Sequence, residues 1–187
     1  MITQILRARR RGGIMSDHRM SVHWRSDSPE HYTPQGIIDA VVRLLGAIDV
    51  DPCSNSHESP SVPALTVYTA ADDGLSQFWT GRVYMNPPYG RDVKQWVRKL
   101  VESYSYGFVT EAVALLPART DTQWWQLLRD YPVCFVTGRL RFGGNRNLAP
   151  FPSAVFYLGT NVQGFYREFS DWGDVWLRFV PTVARGD

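Results

Sequence analysis

Asn86-Pro87-Pro88-Tyr89 is the segment whose residue types do most to suggest chemistry. An asparagine side-chain oxygen and the neighbouring Pro87 carbonyl are two hydrogen-bond acceptors on one short stretch. The prolines stiffen that stretch and remove competing backbone donors. Tyr89 adds a flat face on which a planar ring can stack. Such a loop offers acceptors to a hydrogen-bond donor held beside a stacking face. A bare Pro-Pro pair would only mark a turn; the tetrad directly after an apolar run is more specific.

A second polar segment, Asp51-Pro52-Cys53-Ser54, stands where a short strand, Ile48-Asp49-Val50-Asp51, leads into a loop. A carboxylate there would accept hydrogen bonds from an amine or a sugar hydroxyl, or would simply cap its own loop. Asp72 and Asp73 offer further acids, with an Asp-Gly turn as the competing account for Asp73. Arg119, Thr120 and Asp121 lie just past another apolar run. Arg141, Asn145, Arg146 and Asn147 form a polar, basic loop that either reaches phosphate or is a solvated turn. Cys53 and His57 do not make a metal site, since four ligands are needed and no partner pair accompanies them. No metal is expected.

The elements that position these residues alternate between helix and strand. Thr33-Pro34 reads as a helix start, hydroxyl cap then proline, followed by the stripe Ile37, Ile38, Val41, Leu44, Leu45 and a stop at Gly46. Arg82–Met85 is a strand running into the tetrad. Asp92 opens a helix through Val93, Trp96, Val97, Leu100 and Val101. Ala112–Leu116 reads as a buried parallel strand, and Thr120–Gln123 as a capping box before a helix at Trp124–Arg129. Val133–Val136, Leu140–Phe142, Ala154–Leu158 and Val175–Phe179 complete the expected strands. The implied fold is an α/β sheet with an antiparallel edge, its ligands at the carboxyl ends of the strands.

Composition narrows the class. The 187 residues are 44% hydrophobic and 20% charged, which suits one globular domain and excludes a disordered or collagen-like chain. Two cysteines, outside any CxxC pair, point away from a disulfide scaffold and toward a reducing, cytoplasmic setting. No run is long and apolar enough to span a membrane. The net charge of +2 conceals an uneven distribution. Arg7, Arg9, Arg10 and Arg11 stand in an acid-free start, and the remaining 16 Lys and Arg face 18 Asp and Glu. Residues 1–20 therefore read as a basic, solvated tail, and residues 21–187 as a single domain. Nucleic-acid binding would rest on local patches.

The tetrad resembles motif IV of amino-methyltransferases that use S-adenosylmethionine. An exocyclic amine is a poor nucleophile because its lone pair is delocalised into the ring, and acceptors on the amine hydrogens favour a pyramidal nitrogen. The likeness extends along the chain, in order: Tyr32-Thr33-Pro34, Asp49–Ser54, Asp72-Asp73-Gly74-Leu75 with Trp79, the NPPYG loop, Leu115–Thr122, Gly138–Phe142 and Ala149–Ser153. Together these resemble the phage DNA N-6-adenine-methyltransferase (Dam) family over roughly residues 24–160.

The resemblance implies a Rossmann-like, S-adenosylmethionine-dependent enzyme acting on N6 of a flipped adenine in DNA, of phage or prophage origin. Asn86, Pro87, Pro88 and Tyr89 would carry the transfer. Tyr32, Thr33, Pro34, Asp51, Pro52, Cys53, Ser54 and Asp72 would meet the cofactor, and Arg119, Arg141, Asn145 and Arg146 the DNA. The same tetrad would serve cytosine N4, RNA or a glutamine amide, and a DNA-binding module without catalysis is the rival from another class.

Two features depart from the pattern. DPCSNS has no glycine, so cofactor contact must rest on side chains. Only residues 53–82 separate the first strand from the tetrad strand, which implies a shortened middle with one helix or strand missing.

Overall fold

The computed structural model describes residues 32–143 and 148–178. Its elements, in order, are α1 (Gln35–Leu45), β1 (Ile48–Asp51), β2 (Ala64–Val67), β3 (Gly81–Met85), α2 (Val93–Ser105), β4 (Val109–Pro117), α3 (Gln123–Leu128), β5 (Val133–Val136), β6 (Ser153–Leu158), α4 (Val162–Phe169) and β7 (Gly173–Trp176). The strands form one sheet in the order β2-β1-β3-β4-β6-β5-β7. The first four are parallel, while β6 runs antiparallel between β4 and β5, and β7 pairs antiparallel with β5. This is a Rossmann-like α/β sheet with an antiparallel edge.

Strand alternation sorts the core into two layers. Tyr84, Val113, Leu115, Val155 and Tyr157 face one way, onto the apolar stripe of α1 and the phenylalanines of α4. Val83, Met85, Ala112, Ala114, Leu116 and Phe156 face the other, onto α2 and α3. The same alternation puts Asn86, two residues beyond Tyr84, on the α1 side. β4 is buried on both faces, as its continuous apolar run requires.

The shortened middle takes a specific form. No helix lies between β1 and β3; loops 52–63 and 68–80 make both crossings, with the four-residue β2 between them. Trp79 fills the α2-side layer where a crossover helix would pack. It is 1% exposed, stacks on Trp96 at 5.9 Å and donates its indole N–H to the Gly74 carbonyl at 2.8 Å.

Three local expectations need correction. Leu140–Phe142 is not a strand, although Leu140 and Phe142 are buried between exposed arginines. Gly138, at φ 76°, turns the chain out of the sheet. The segment then lies across the core as a loop, held by Ala149 N–H to Leu140 O and Gly143 N–H to Tyr32 O. Alternating burial arises there without a partner strand. The α1 cap is Pro34, and Thr33 makes no side-chain cap bond because its hydroxyl is engaged across the sheet with Tyr84. Nor does the Thr120–Gln123 capping box form. Thr122 is the cap of α3, and its hydroxyl bonds back to the Arg119 carbonyl instead. β2 and α4 are elements that the sequence reading lacks.

Candidate active site

The carboxyl ends of β1 and β3 open into a cleft of about 450 Å³. It is lined by Tyr32 and Thr33 before α1, by Asp51, Cys53 and Ser54 after β1, by Thr69 and Ala70 after β2, and by Asn86, Pro87, Pro88 and Tyr89 after β3. A second hollow of about 490 Å³ adjoins it, sharing Cys53, Ser54, Thr69, Ala70, Pro88 and Tyr89, and reaching Pro52, Asp73, Leu75, Asp92 and Trp96. Ten of the twelve residues that the sequence assigns to transfer or cofactor thus line one hollow or the other. Pro34 and Asp72 line neither.

The tetrad is held by a chain of hydrogen bonds. Asn86 Nδ2 donates to Thr33 Oγ1 at 3.0 Å, and the Tyr89 hydroxyl donates to Asn86 Oδ1 at 2.7 Å. Thr33 Oγ1 in turn lies 2.6 Å from the buried Tyr84 hydroxyl. The Asn86 amide is therefore oriented, with its oxygen toward Tyr89 and its nitrogen toward α1. Tyr89 meets the edges of two aromatic rings, Phe151 at 5.1 Å and Phe142 at 6.1 Å, both near perpendicular. Burial pushes its phenol well above the usual range. Tyr89 accordingly stays a neutral donor to Asn86.

Asp51 is an unusual carboxylate. It is 3% exposed, and among the described residues no Lys, Arg or His forms an ion pair with it. Burial pushes its pKa up to about 7, against partial relief from the Cys53 backbone N–H at 3.0 Å and the Ser54 side chain. A buried acid in that state gains when a cationic or hydroxyl donor enters the cleft. Cys53 beside it is held as a thiol, its pKa raised mainly by burial and further by the Asp51 charge.

Asp72 acts on the cleft indirectly. Its Oδ2 accepts from the backbone N–H and hydroxyl of Thr69, each at 2.7 Å, and pairs with His57 Nε2 at 2.7 Å. The Thr69 backbone bond is the main cause of its lowered pKa. Asp72 thus fixes Thr69, which does line the cleft, and ties the loop after β2 to the loop after β1. Asp73, at φ 51°, forms the expected turn before Gly74.

The glycine missing from DPCSNS has a counterpart across the cleft. A Cβ at Gly74 would collide with the Pro52 carbonyl, so glycine there lets loop 68–80 pack against the loop after β1.

Arg119 is exposed just past β4, with its backbone turned by bonds to Pro117 and Thr122. Arg141 is exposed on the loop after β5, while Asn145 and Arg146 lie outside the described residues. Tyr84, Thr69, Phe142 and Phe151 are site neighbours that the sequence reading did not assign, and Trp96, read as core, also reaches the second hollow. An apolar strand residue such as Tyr84 carries no local mark of this role. Among the described residues, no group of three or more His, Cys, Asp or Glu could hold a metal, and no helix is long and apolar enough to cross a membrane.

No curated protein matches the chain. A family model described as DNA N-6-adenine-methyltransferase (Dam) matches residues 23–153, a span that takes in α1, the cleft loops, the tetrad and the start of β6. The chain therefore belongs to the DNA N-6-adenine-methyltransferase family, and is an enzyme that methylates adenine in DNA.

Proposed function

We propose that the enzyme takes its methyl group from S-adenosylmethionine and that the Asn86–Tyr89 loop presents the adenine amine to it. The observation that carries this reading is the oriented Asn86 amide, its oxygen bonded by Tyr89 and its nitrogen by Thr33, at the mouth of a cleft where buried Asp51 has no ion-pair partner among the described residues. The hollow is in the size range of small-ligand sites, about 300–1,000 Å³, and Asp51 suits a cationic amine or a ribose hydroxyl. The residues fit the cofactor. When bound, it supplies an electrophilic methyl group on a sulfonium.

Tyr32, Thr33 and Pro34 border the methionine end in this reading, with Asp51, Pro52, Cys53 and Ser54 along the first loop. Asp72 contributes through Thr69. In this reading Asn86 Oδ1 and the Pro87 carbonyl accept the two N6 hydrogens and aim the nitrogen lone pair. The adenine stacks on Tyr89 after leaving the duplex. On accepting the methyl group, the N6 nitrogen would give up one proton to solvent. Arg119, Arg141 and the polar segment containing Asn145 and Arg146 meet DNA phosphates. The resemblance to phage enzymes and the free cysteines suit work in the cytoplasm of a bacterial host.

Incubation with unmethylated DNA and methyl-labelled S-adenosylmethionine, followed by nucleoside analysis, tests this directly. Label is expected in N6-methyladenine and is expected to vanish in folded Asn86→Ala and Tyr89→Ala proteins. Full activity in a folded Asn86→Ala protein would overturn the assignment of the tetrad.

A further inference from the structure

We propose that Tyr84 is a positioning residue for methyl transfer, its buried hydroxyl pinning Thr33 so that Thr33 holds the nitrogen end of the Asn86 amide. The inference rests on the reading of Asn86 as the residue that grips the target amine.

Two observations lead to it. Tyr84 sits in the middle of the sheet, 1% exposed, in a layer built mainly from aliphatic and aromatic side chains. A phenylalanine would fill that space as well, and a buried phenol hydroxyl is costly without a partner. Its partner is Thr33 Oγ1 at 2.6 Å, from a residue 51 positions away. Desolvation raises the Tyr84 pKa far enough that the hydroxyl keeps its proton throughout the working range. The second observation is what Thr33 does not do. Its hydroxyl, placed before Pro34 where a helix cap is expected, makes no cap bond to α1. It is diverted to the sheet, where it accepts from Asn86 Nδ2 at 3.0 Å.

The consequence concerns the two ends of one amide. With nitrogen bound at Thr33, Asn86 offers its oxygen on the Tyr89 side. Turned end for end, Asn86 would present N–H groups to an amine that is itself a donor, and the grip would fail. Thr33 disfavours that turn when it gives its own hydrogen to the Tyr84 oxygen, because only its lone pairs then face Asn86. Tyr89 steadies the oxygen end, so the amide is clamped from both sides.

The test uses the full chain with DNA and S-adenosylmethionine. Tyr84→Phe removes one oxygen and no packing volume. It is expected to lower kcat about 10- to 100-fold, as small misplacements of reacting groups do, with KM for cofactor and DNA unchanged. Thr33→Val, measured at saturating cofactor, should lower kcat to a similar degree, and Thr33→Ser should restore it. Because both groups act through one chain of bonds, adding Thr33→Val to Tyr84→Phe should cost less than about a further twofold.

An unchanged kcat in Tyr84→Phe, a rise in KM alone, or full multiplication of the two effects would each overturn the proposal. Should Tyr84→Phe fail to fold, the Thr33→Val and Thr33→Ser pair reads the same chain of bonds. Asn86→Ala separates the two levels of argument. If it abolishes transfer while Tyr84→Phe does not slow it, the tetrad assignment stands and the positioning role falls; if Asn86→Ala is active, both fall.

Discussion

The two ends of the parallel sheet treat their polar groups in opposite ways. At the amino end, Asp49 on β1 meets Arg82 on β3 through two side-chain bonds of 2.8 Å, and the Arg82 backbone N–H adds a third at 2.7 Å. Arg82 is in register with Glu111 on β4, and Glu111 accepts from the Tyr157 hydroxyl, which accepts from the Asn161 backbone in turn. Acid, base and hydroxyl are all matched there. Two residues along the same strand, Asp51 at the carboxyl end is more deeply buried and has no cation among the described residues. Ser153, in register with Pro117 at that end, has a buried hydroxyl without a hydrogen-bond partner among the described residues. One end is finished by the protein itself; the other is left with polar groups that something else must satisfy. In the function proposed above, the carboxyl end is the binding end and the amino end the structural one.

The largest test of this contrast is Asp51→Asn. The folded chain holds the Asp51 proton more tightly than the unfolded chain does, at about 7 against an ordinary value of 3.8. Folding is therefore helped at low pH, and that help is lost as pH rises from the lower value through the upper one. The amide keeps the acceptor for the Cys53 N–H and never ionises. Asp51→Asn should thus be roughly 2–4 kcal/mol more stable than the parent near pH 8, a gain that disappears by about pH 4. Cofactor binding should move the other way. The parent should bind S-adenosylmethionine more tightly as pH rises through about 7, and the variant should bind it weakly at every pH. Chemical denaturation and calorimetric titration across pH would show both trends. A variant less stable at high pH would break the contrast.

Asp49→Ala probes the opposite end and should give the opposite pattern. Its pKa is lowered, chiefly by the Arg82 side-chain bond. The stability it provides is therefore present above its ordinary value of 3.8 and fades as pH falls through the lower folded one. Removing it should lower Tm by about 3–6 °C at neutral pH, since charge-assisted, multiply bonded pairs are the stronger kind. Cofactor affinity and kcat should not change at a temperature where both proteins are folded. A selective loss of activity would show that the two ends are not separate.

What was legible in the chain follows the range of the interactions involved. The apolar runs of β3, β4 and β6 declare themselves because burial on both faces needs consecutive apolar residues, and Ile48–Asp51 and Val133–Val136 through their β-branched and aromatic residues. The tetrad and the DPCS segment were readable because each packs its chemistry into four contiguous residues. β2 was not readable: Leu65, its largest side chain, is 82% exposed on an edge strand, so no pattern forms. α4 is only eight residues long and has a glycine in its first turn, although Asn161, whose side chain accepts from Gly164 N–H, was a usable start signal. Thr33 carries both a correct and an incorrect reading. Its type suggested a cap, but Tyr84, 51 residues away, outcompetes the helix for its hydroxyl. Loops 52–63 and 68–80 meet only because β1 and β2 are paired, so Thr69 gave no warning of its place in the cleft.

The smallest effect is the sharpest check on the carboxyl end. Ser153 is 1% exposed at the first position of β6, on the face that carries Val155 and Tyr157. A buried hydroxyl without a partner forfeits its hydration and gains nothing for it. Were Ser153 part of the structural frame, its replacement by alanine would cost stability, as loss of a made hydrogen bond does. With no bond to lose, Ser153→Ala should be neutral or more stable by up to about 1 kcal/mol. The matched comparison is Tyr157→Phe, which removes a hydroxyl bonded to both Glu111 and Asn161 and should be destabilising by about 1–2 kcal/mol. Urea denaturation of the two variants under one set of conditions measures the difference directly. If Ser153→Ala proved as costly as Tyr157→Phe, the polar groups of the two ends would be equally satisfied, and the contrast would rest on Asp51 alone.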